Sequence, residues 1–173
     1  MRILAGKYKN RKLKSVPGQN VRPTPSSVKK SIFQIIEPFE DKKILDLFAG
    51  IGSLGIESLS RGAVKATFVE KDRKVIDCLS RNLRDLCEKN QYAIVNLSVE
   101  KYLRRCSERY DIIFADPPYG TISFEELKLK VSKLLNYNGI FCMERRFEKT
   151  DYDDVRIKNY GKTQILIWEK IKK

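Results

Sequence analysis

KKILDLFAGIGSLGIESLSRGAVKATFVEK, residues 42–71, decides the fold. It opens on an apolar strand, KKILDLFAG (42–50), that ends in glycine. SLGIESLSR (53–61) has helical spacing, and KATFVEK (65–71) is a second strand. GIGSLG, residues 50–55, matches G-x-G-x-x-G after a strand and before a helix. Glu70 stands 20 residues past Gly50, at the end of the second strand. In a doubly wound sheet such a constellation binds a nucleoside. Glycines such as Gly50 and Gly52 let the ligand approach the backbone, and the acid hydrogen-bonds ribose hydroxyls.

The alternation continues outward. DRKVIDCLSRNLRDLCEKN (72–90) puts Val75, Leu79, Leu83 and Leu86 on one helical face, with Asp72 as N-cap. YAIVNLS (92–98) is a strand, VEKYLRRC (99–106) a short helix and YDIIFAD (110–116) a strand. Ser123 and Glu126 form a capping-box pattern for a helix with Leu127, Val131, Leu134 and Leu135 inward, ended by Asn138-Gly139. GIFCMERR (139–146) is the next strand. DDVRIKNY and TQILIWEK flank Gly161 as a hairpin. The expected fold is therefore α/β, a mostly parallel sheet with helices on both faces and a C-terminal antiparallel hairpin. Residues 1–41 precede it: RILAGKYKNRKLKSV predicts a basic two-stranded arm turning at Lys9-Asn10, and SSVKKSIFQII (26–36) a helix stopped by Pro38. The expected organisation is one domain, with 1–41 an extension and 42–173 the core.

Composition narrows the chemistry. The 173 residues suit one domain, and 35 Lys plus Arg against 22 acids give a net charge of +13, which favours a polyanionic partner. No apolar run approaches a membrane span or a signal peptide, so a soluble, cytoplasmic protein is expected. The chain has no histidine, which excludes Ser-His-Asp and Cys-His hydrolysis and any histidine general base. Cys78, Cys87, Cys106 and Cys142 lie far apart without a CxxC, so no metal site is expected and the thiols are read as reduced.

Two cofactor classes share the glycine-loop geometry. A nicotinamide dehydrogenase would need a substrate domain, for which 173 residues leave little room. An S-adenosylmethionine enzyme uses the loop for the amino-acid part of the cofactor and the strand-end acid for the ribose. Asp46 then suits the cofactor ammonium, directly or through water.

The second decisive stretch is FADPPYG (114–120), where a buried strand stops at an acid and two prolines. DLFAGIGSLG together with FADPPYG resembles the class I methyltransferases that modify exocyclic amino groups of nucleic-acid bases. GKYKNRKL and VRPTPSSVKKSIFQII are similar to one branch, the 16S ribosomal RNA (guanine(966)-N(2))-methyltransferases, and the similarity runs in order over nearly the whole chain. The resemblance implies a Rossmann-like, seven-stranded sheet, S-adenosylmethionine as cofactor, and methylation of a guanine N2 in small-subunit RNA. It implies cofactor contacts from Thr24, Asp46, Phe48, Gly50, Gly52, Glu70, Ser98 and Asp116, and a segment around Arg22-Pro23-Thr24 that closes over the cofactor and target pocket. The protein would act as a monomer on 16S rRNA, free or within a small ribosomal subunit.

The chemistry of an aromatic amine explains the prolines. A flipped-out base must present its amino group to the methyl donor, but that lone pair is delocalised into the ring. Two acceptors aimed at its N–H bonds would localise the pair. Asp116 can supply one and the Pro117 carbonyl the other, while the prolines fix where that carbonyl points. Tyr119 offers a face for the base to stack on. Lys7, Tyr8, Lys9, Arg11, Lys12 and Lys14 of the arm, with Arg22, are candidate RNA contacts that position without reading sequence.

Two departures leave alternatives open. Where many methyltransferases carry an acid for the adenine amino group of the cofactor, this chain has Ser98 in NLSVEKYL. The tetrapeptide starts with Asp rather than the Asn usual in adenine-N6 enzymes, which leans toward guanine N2. An adenine-N6 methyltransferase, or a basic assembly factor without catalysis, remains the alternative. No target-recognition domain follows the last strand, which argues for a substrate presented by RNA structure.

Overall fold

The computed structural model describes residues 1–16 and 25–172. Its elements run α1 (Ser26–Ile36), β1 (Lys43–Leu47), α2 (Ser53–Ser60), β2 (Lys65–Glu70), α3 (Arg73–Leu86), β3 (Tyr92–Asn96), α4 (Val99–Arg105), β4 (Tyr110–Ala115), α5 (Phe124–Ser132), β5 (Leu135–Arg146), β6 (Val155–Tyr160) and β7 (Thr163–Glu169). They build a seven-stranded sheet in the order β3-β2-β1-β4-β5-β7-β6. The first five strands pair in parallel, and β7 runs antiparallel to both β5 and β6. This is the Rossmann-like class I methyltransferase fold, with the antiparallel C-terminal strands that the sequence predicts.

Both sheet faces are covered, so the central strands are buried throughout. Ile44, Phe68 and Phe114 pack with Phe33 and Leu79 on one face; Leu45, Val69 and Ile113 pack with Leu103, Leu127 and Val131 on the other. A strand buried on both sides reads as an unbroken apolar run, and Asp46 is the polar interruption in β1. Asp72 caps α3 as expected, accepting from the Lys74 and Val75 N–H groups, and α1 matches its predicted span.

Two local expectations are corrected. The helix before β5 stops at Ser132, not at Asn138-Gly139. The Tyr110 N–H donates to the Leu134 carbonyl at 2.8 Å, so sheet pairing captures Leu134 and Leu135. Lys170 seals the end of α5, its ammonium donating to the Ser132 and Leu135 carbonyls at 2.7 and 2.9 Å. Asn138, at φ 61°, and Gly139 therefore lie within β5, beside an irregularity in its pairing with β4. The N-terminal arm is also less than a regular hairpin. Arg2 and Lys12 form its one isolated bridge, flanked by Ile3 N–H to Arg11 C=O and Leu13 N–H to Met1 C=O, both 3.0 Å.

That arm is fastened to the core. Glu57 on α2, fully buried, accepts the Leu4 and Ala5 N–H groups at 2.8 and 3.0 Å, Lys29 Nζ at 2.9 Å and Arg61 Nε at 3.0 Å. Asn82 on α3 accepts the Lys14 N–H at 2.8 Å and donates to the carbonyls of Lys14 and Ile51. At Gly6, φ 78°, an added Cβ would lie 1.7 Å from the Ser60 carbonyl oxygen, so only glycine lets the arm approach α2 there.

Candidate active site

Open α/β sheets bind ligands outside the carboxyl ends of their strands, where the strand order reverses. Here the reversal falls between β1 and β4, and the segments leaving β1, β2, β3 and β4 converge on it. They enclose a cavity of about 480 Å³ walled by Phe48, Glu70, Leu97, Ser98, Asp116 and Ile122, among others. That volume lies within the range of small-molecule sites.

The segment leaving β1 contributes Phe48 to one wall and continues into the glycine loop. Phe48 sits at φ 57°, a strained conformation for a residue with a side chain. Gly52, at φ 88°, begins α2, and a Cβ there would lie 2.5 Å from Leu79 Cδ1. Gly50 differs: a Cβ on it would find no heavy atom closer than 4.0 Å, so its open side is free for a ligand to approach. The Gly50 N–H donates to Glu70 Oε2 at 3.0 Å. Glu70 Oε1 accepts the Lys71 and Asp72 N–H groups at 2.8 and 3.0 Å. These bonds fix the carboxylate at the end of β2 and tie the loop to it. The motif spacing from Gly50 to Glu70 is thus a direct contact in space.

Asp46 supports the glycine loop from behind. It is 2% exposed, stands behind the loop rather than in the cavity wall, and accepts the Gly55 N–H at 2.9 Å. Its alternation along β1 points it toward α2, beside Phe68 and Phe114 in neighbouring strands. Burial first, then the carboxylates of Asp116 and Glu70, push its pKa up to about 8 against the Gly55 bond. Ser98 does line the cavity, and its hydroxyl also caps α4, accepting the Lys101 N–H at 3.3 Å.

Asp116 joins this cavity to a smaller one. It also lines an adjoining pocket of about 190 Å³ together with Pro117, Tyr119 and Glu144. The turn after it is closed by the Pro118 carbonyl, which accepts the Thr121 N–H at 3.2 Å and hydroxyl at 2.7 Å. Pro117 is buried, while Tyr119 is 49% exposed at the pocket rim. Burial, and then the nearby charge of Glu144, raise the Asp116 pKa to about 7. Sequence reasoning missed Glu144. Its signal was an acid ending the apolar run GIFCM, just as Asp116 ends YDIIFA, and the Ala115–Met143 register sets the two side by side.

The structure divides the candidate RNA contacts. Lys9, Arg11 and Lys12 are exposed. Lys7 and Lys14 are exposed but paired with Glu88 and Asp85, at 3.2 and 2.6 Å. Tyr8 is a correction. Ile3, Tyr8 and Leu13 form the apolar underside of the arm, leaving Tyr8 7% exposed, with its hydroxyl 3.4 Å from Gln91 and raised to about 12 by burial. It cannot stack on a base without undocking the arm. Arg22 and Thr24 lie outside the described residues. Among the described residues no group of His, Cys, Asp or Glu could hold a metal ion, and no helix is long and apolar enough to cross a membrane.

The donor set fits S-adenosylmethionine. The Glu70 carboxylate, the Ser98 hydroxyl and the apolar side chains of Phe48, Leu97 and Ile122 line one cavity. Comparison with known proteins agrees with this geometry. Residues 1–169 match the protein family described as conserved hypothetical protein 95. A Bacillus subtilis (strain 168) protein with the provisional name rRNA methyltransferase YlbH is 35% identical over 182 residues, covering 98% of this chain and 99% of its own. Ribosomal RNA small subunit methyltransferase D of Escherichia coli (strain K12) is 37% identical over 140 residues, covering 80% of this chain and 68% of its own. The solved structure of an Escherichia coli protein provisionally titled methyltransferase yhhF superposes with a TM-score of 0.86 at 31% identity, covering 100% of this chain and 99% of that one.

Proposed function

The chain belongs to the conserved hypothetical protein 95 family, the family of ribosomal RNA small subunit methyltransferase D, and from that membership we propose that it methylates the exocyclic N2 of a guanine in 16S ribosomal RNA, with S-adenosylmethionine as donor. The single observation that carries the proposal is the position of Asp116. Its carboxylate borders both the 480 Å³ cavity, which suits the cofactor, and the 190 Å³ pocket beside it, which suits a flipped base. A group at that junction touches the acceptor amine where the methyl arrives.

When bound, S-adenosylmethionine supplies an electrophilic methyl on a sulfonium. Everything else falls to this chain. Glu70, held by three backbone N–H groups, receives the ribose hydroxyls. Phe48, Leu97 and Ile122 take the apolar faces of the cofactor, and Ser98 lies near its adenine. Asp46 acts from behind, fixing the first turn of α2 and hence the loop, through the Gly55 N–H. The Asp116 carboxylate and the Pro117 carbonyl accept the two N–H bonds of the guanine amine and turn its lone pair toward the methyl; Tyr119 stacks on the ring. After transfer the amine is acidic, and Asp116 takes its proton. Lys9, Arg11 and Lys12 hold the RNA backbone. A ribosomal substrate makes the protein cytoplasmic, acting as a monomer.

Asp116→Ala tests this directly. It should lower methyl transfer to small ribosomal subunits by about 10²–10³-fold, as expected when an aligned polar group at a reacting centre is lost. Binding of S-adenosylhomocysteine, followed by calorimetry, should change little. Retained transfer in the variant would remove Asp116 from the reaction.

A further inference from the structure

The target pocket shares its walls with a neighbour. Pro117, Pro118 and Tyr119 also border a third cavity, of about 490 Å³, whose lining includes Arg145, Arg146 and Tyr152. At the end of β5, Arg146 pairs in register with Thr163, itself a wall of the target pocket. The Phe147 N–H then donates to the Lys162 carbonyl at 2.9 Å, which fixes Phe147 beside the turn between β6 and β7. Phe147 is 48% exposed. Its neighbours, Arg146 in the chain and Lys162 across that bond, are exposed too. No ion pair among the described residues involves Arg146 or Lys162. The acids of the third cavity are already engaged. Glu126 holds Lys130 at 2.6 Å, Glu148 holds Arg145 at 3.2 Å, and Glu125 accepts the Tyr152 hydroxyl.

An exposed aromatic ring beside two cations that no carboxylate neutralises suits a single-stranded nucleic acid: the ring stacks on a base and the cations take the phosphates. We propose that Arg146, Phe147 and Lys162 form a second RNA-binding surface for the nucleotide next to the flipped guanine, Phe147 stacking on its base and the two cations holding its phosphates. The proposal rests on the methyltransferase assignment above and adds the part of the RNA that lies outside the target pocket. Position supports it. α2 and α3, to which the N-terminal arm is fastened, lie on β1, β2 and β3, whereas Arg146 ends β5 and Lys162 precedes β7. The two basic surfaces therefore stand on either side of β4, whose end opens into the target pocket. Flipping a base costs stacking, and a ring that receives its neighbour offsets part of that cost.

The test replaces Phe147 by photoreactive p-azidophenylalanine in the full chain. The protein is irradiated with S-adenosylhomocysteine and small ribosomal subunits from a strain lacking the gene. The crosslink should fall on 16S RNA, on the nucleotides adjoining the guanine that the wild type methylates. A crosslink to a ribosomal protein, to a second copy of this chain or to RNA remote from that guanine would overturn the proposal. Kinetics read it independently. Phe147→Leu, which keeps an apolar side chain but loses the ring face, should lower kcat/KM for subunits about tenfold, while Phe147→Trp should stay within about twofold of the wild type. The double variant Arg146→Ala/Lys162→Ala should flatten the dependence of log kcat/KM on log salt by about 1.4, as two lost phosphate contacts on a single strand require. Unchanged kcat/KM in Phe147→Leu, or an unchanged salt slope in the double variant, would overturn it, with S-adenosylhomocysteine binding showing that each variant is folded. These failures leave the methyltransferase assignment standing, whereas no transfer by the wild type would defeat that assignment and the proposal with it.

Discussion

The ionisation of Asp116 should be visible in the rate. Its pKa is raised from 3.8 to about 7, by burial first and by Glu144 second. Only the carboxylate form offers both oxygens to the amine, so activity must rise with pH. At saturating S-adenosylmethionine, kcat/KM for the subunit reports groups of the enzyme that must be ionised before RNA binds. One unit below the midpoint about one-eleventh of the enzyme carries the carboxylate, and one unit above it about ten-elevenths does. Initial rates of tritium transfer should therefore increase about tenfold between pH 6 and pH 8. Two variants separate the causes. Glu144→Gln removes the repelling charge but not the burial, so its normalised profile should keep its shape with the midpoint moved toward acid. Asp116→Asn has nothing to titrate. It should be slower and flat over the same range. A wild-type profile flat from pH 5.5 to 8.5, or a midpoint that Glu144→Gln leaves in place, would refute the coupling of these two side chains and the role given to the Asp116 charge.

Three further outcomes are expected. Glu57→Gln leaves the Lys29 ammonium, 1% exposed, without its full counter-charge, and should cost about 3–5 kcal/mol of unfolding free energy in urea, with much of it regained in Glu57→Gln/Lys29→Met; a loss under about 1 kcal/mol would mean that the arm is not held through this pair. Glu70→Ala removes the acceptor for the Gly50, Lys71 and Asp72 N–H groups as well as the ribose contact, and should weaken S-adenosylhomocysteine binding by about 10–100-fold in calorimetry; unchanged affinity would move the cofactor away from β2. Replacing Lys9, Arg11 and Lys12 together by alanine should raise KM for subunits and flatten its dependence on salt while sparing kcat; an unaltered salt slope would show that RNA is held elsewhere.

Which features were legible in the sequence follows from the range of the interactions involved. The parallel sheet was legible because β1, β2 and β4 are buried on both faces and their neighbours carry helical periodicity. Gly50 and Glu70 were legible because one βαβ unit fixes their spacing and brings them into contact at 3.0 Å. Features set by packing between distant segments were not. The end of α5 depends on Tyr110 and Lys170 capturing carbonyls that helical periodicity assigns to the helix. Tyr8 sits among lysines in sequence, yet it is buried in the same core cluster as Ile3 and Leu13, on the underside of the arm. Asp46 was legible as a lone acid in an apolar strand, but its bond to the Gly55 N–H was not, because in a doubly buried strand the apolar pattern does not tell the two faces apart. Glu144 was missed because its meaning depends on the β4–β5 register, which places it beside Asp116.

The most direct test of the central claim is to identify the methylated nucleoside. Small ribosomal subunits from a strain lacking the gene would be incubated with the purified protein and tritiated S-adenosylmethionine, and the RNA digested to nucleosides and separated by chromatography. The label should elute as N2-methylguanosine, from 16S RNA alone. Label in N6-methyladenosine would contradict the guanine assignment. Absence of label, with cofactor binding intact, would contradict the substrate itself.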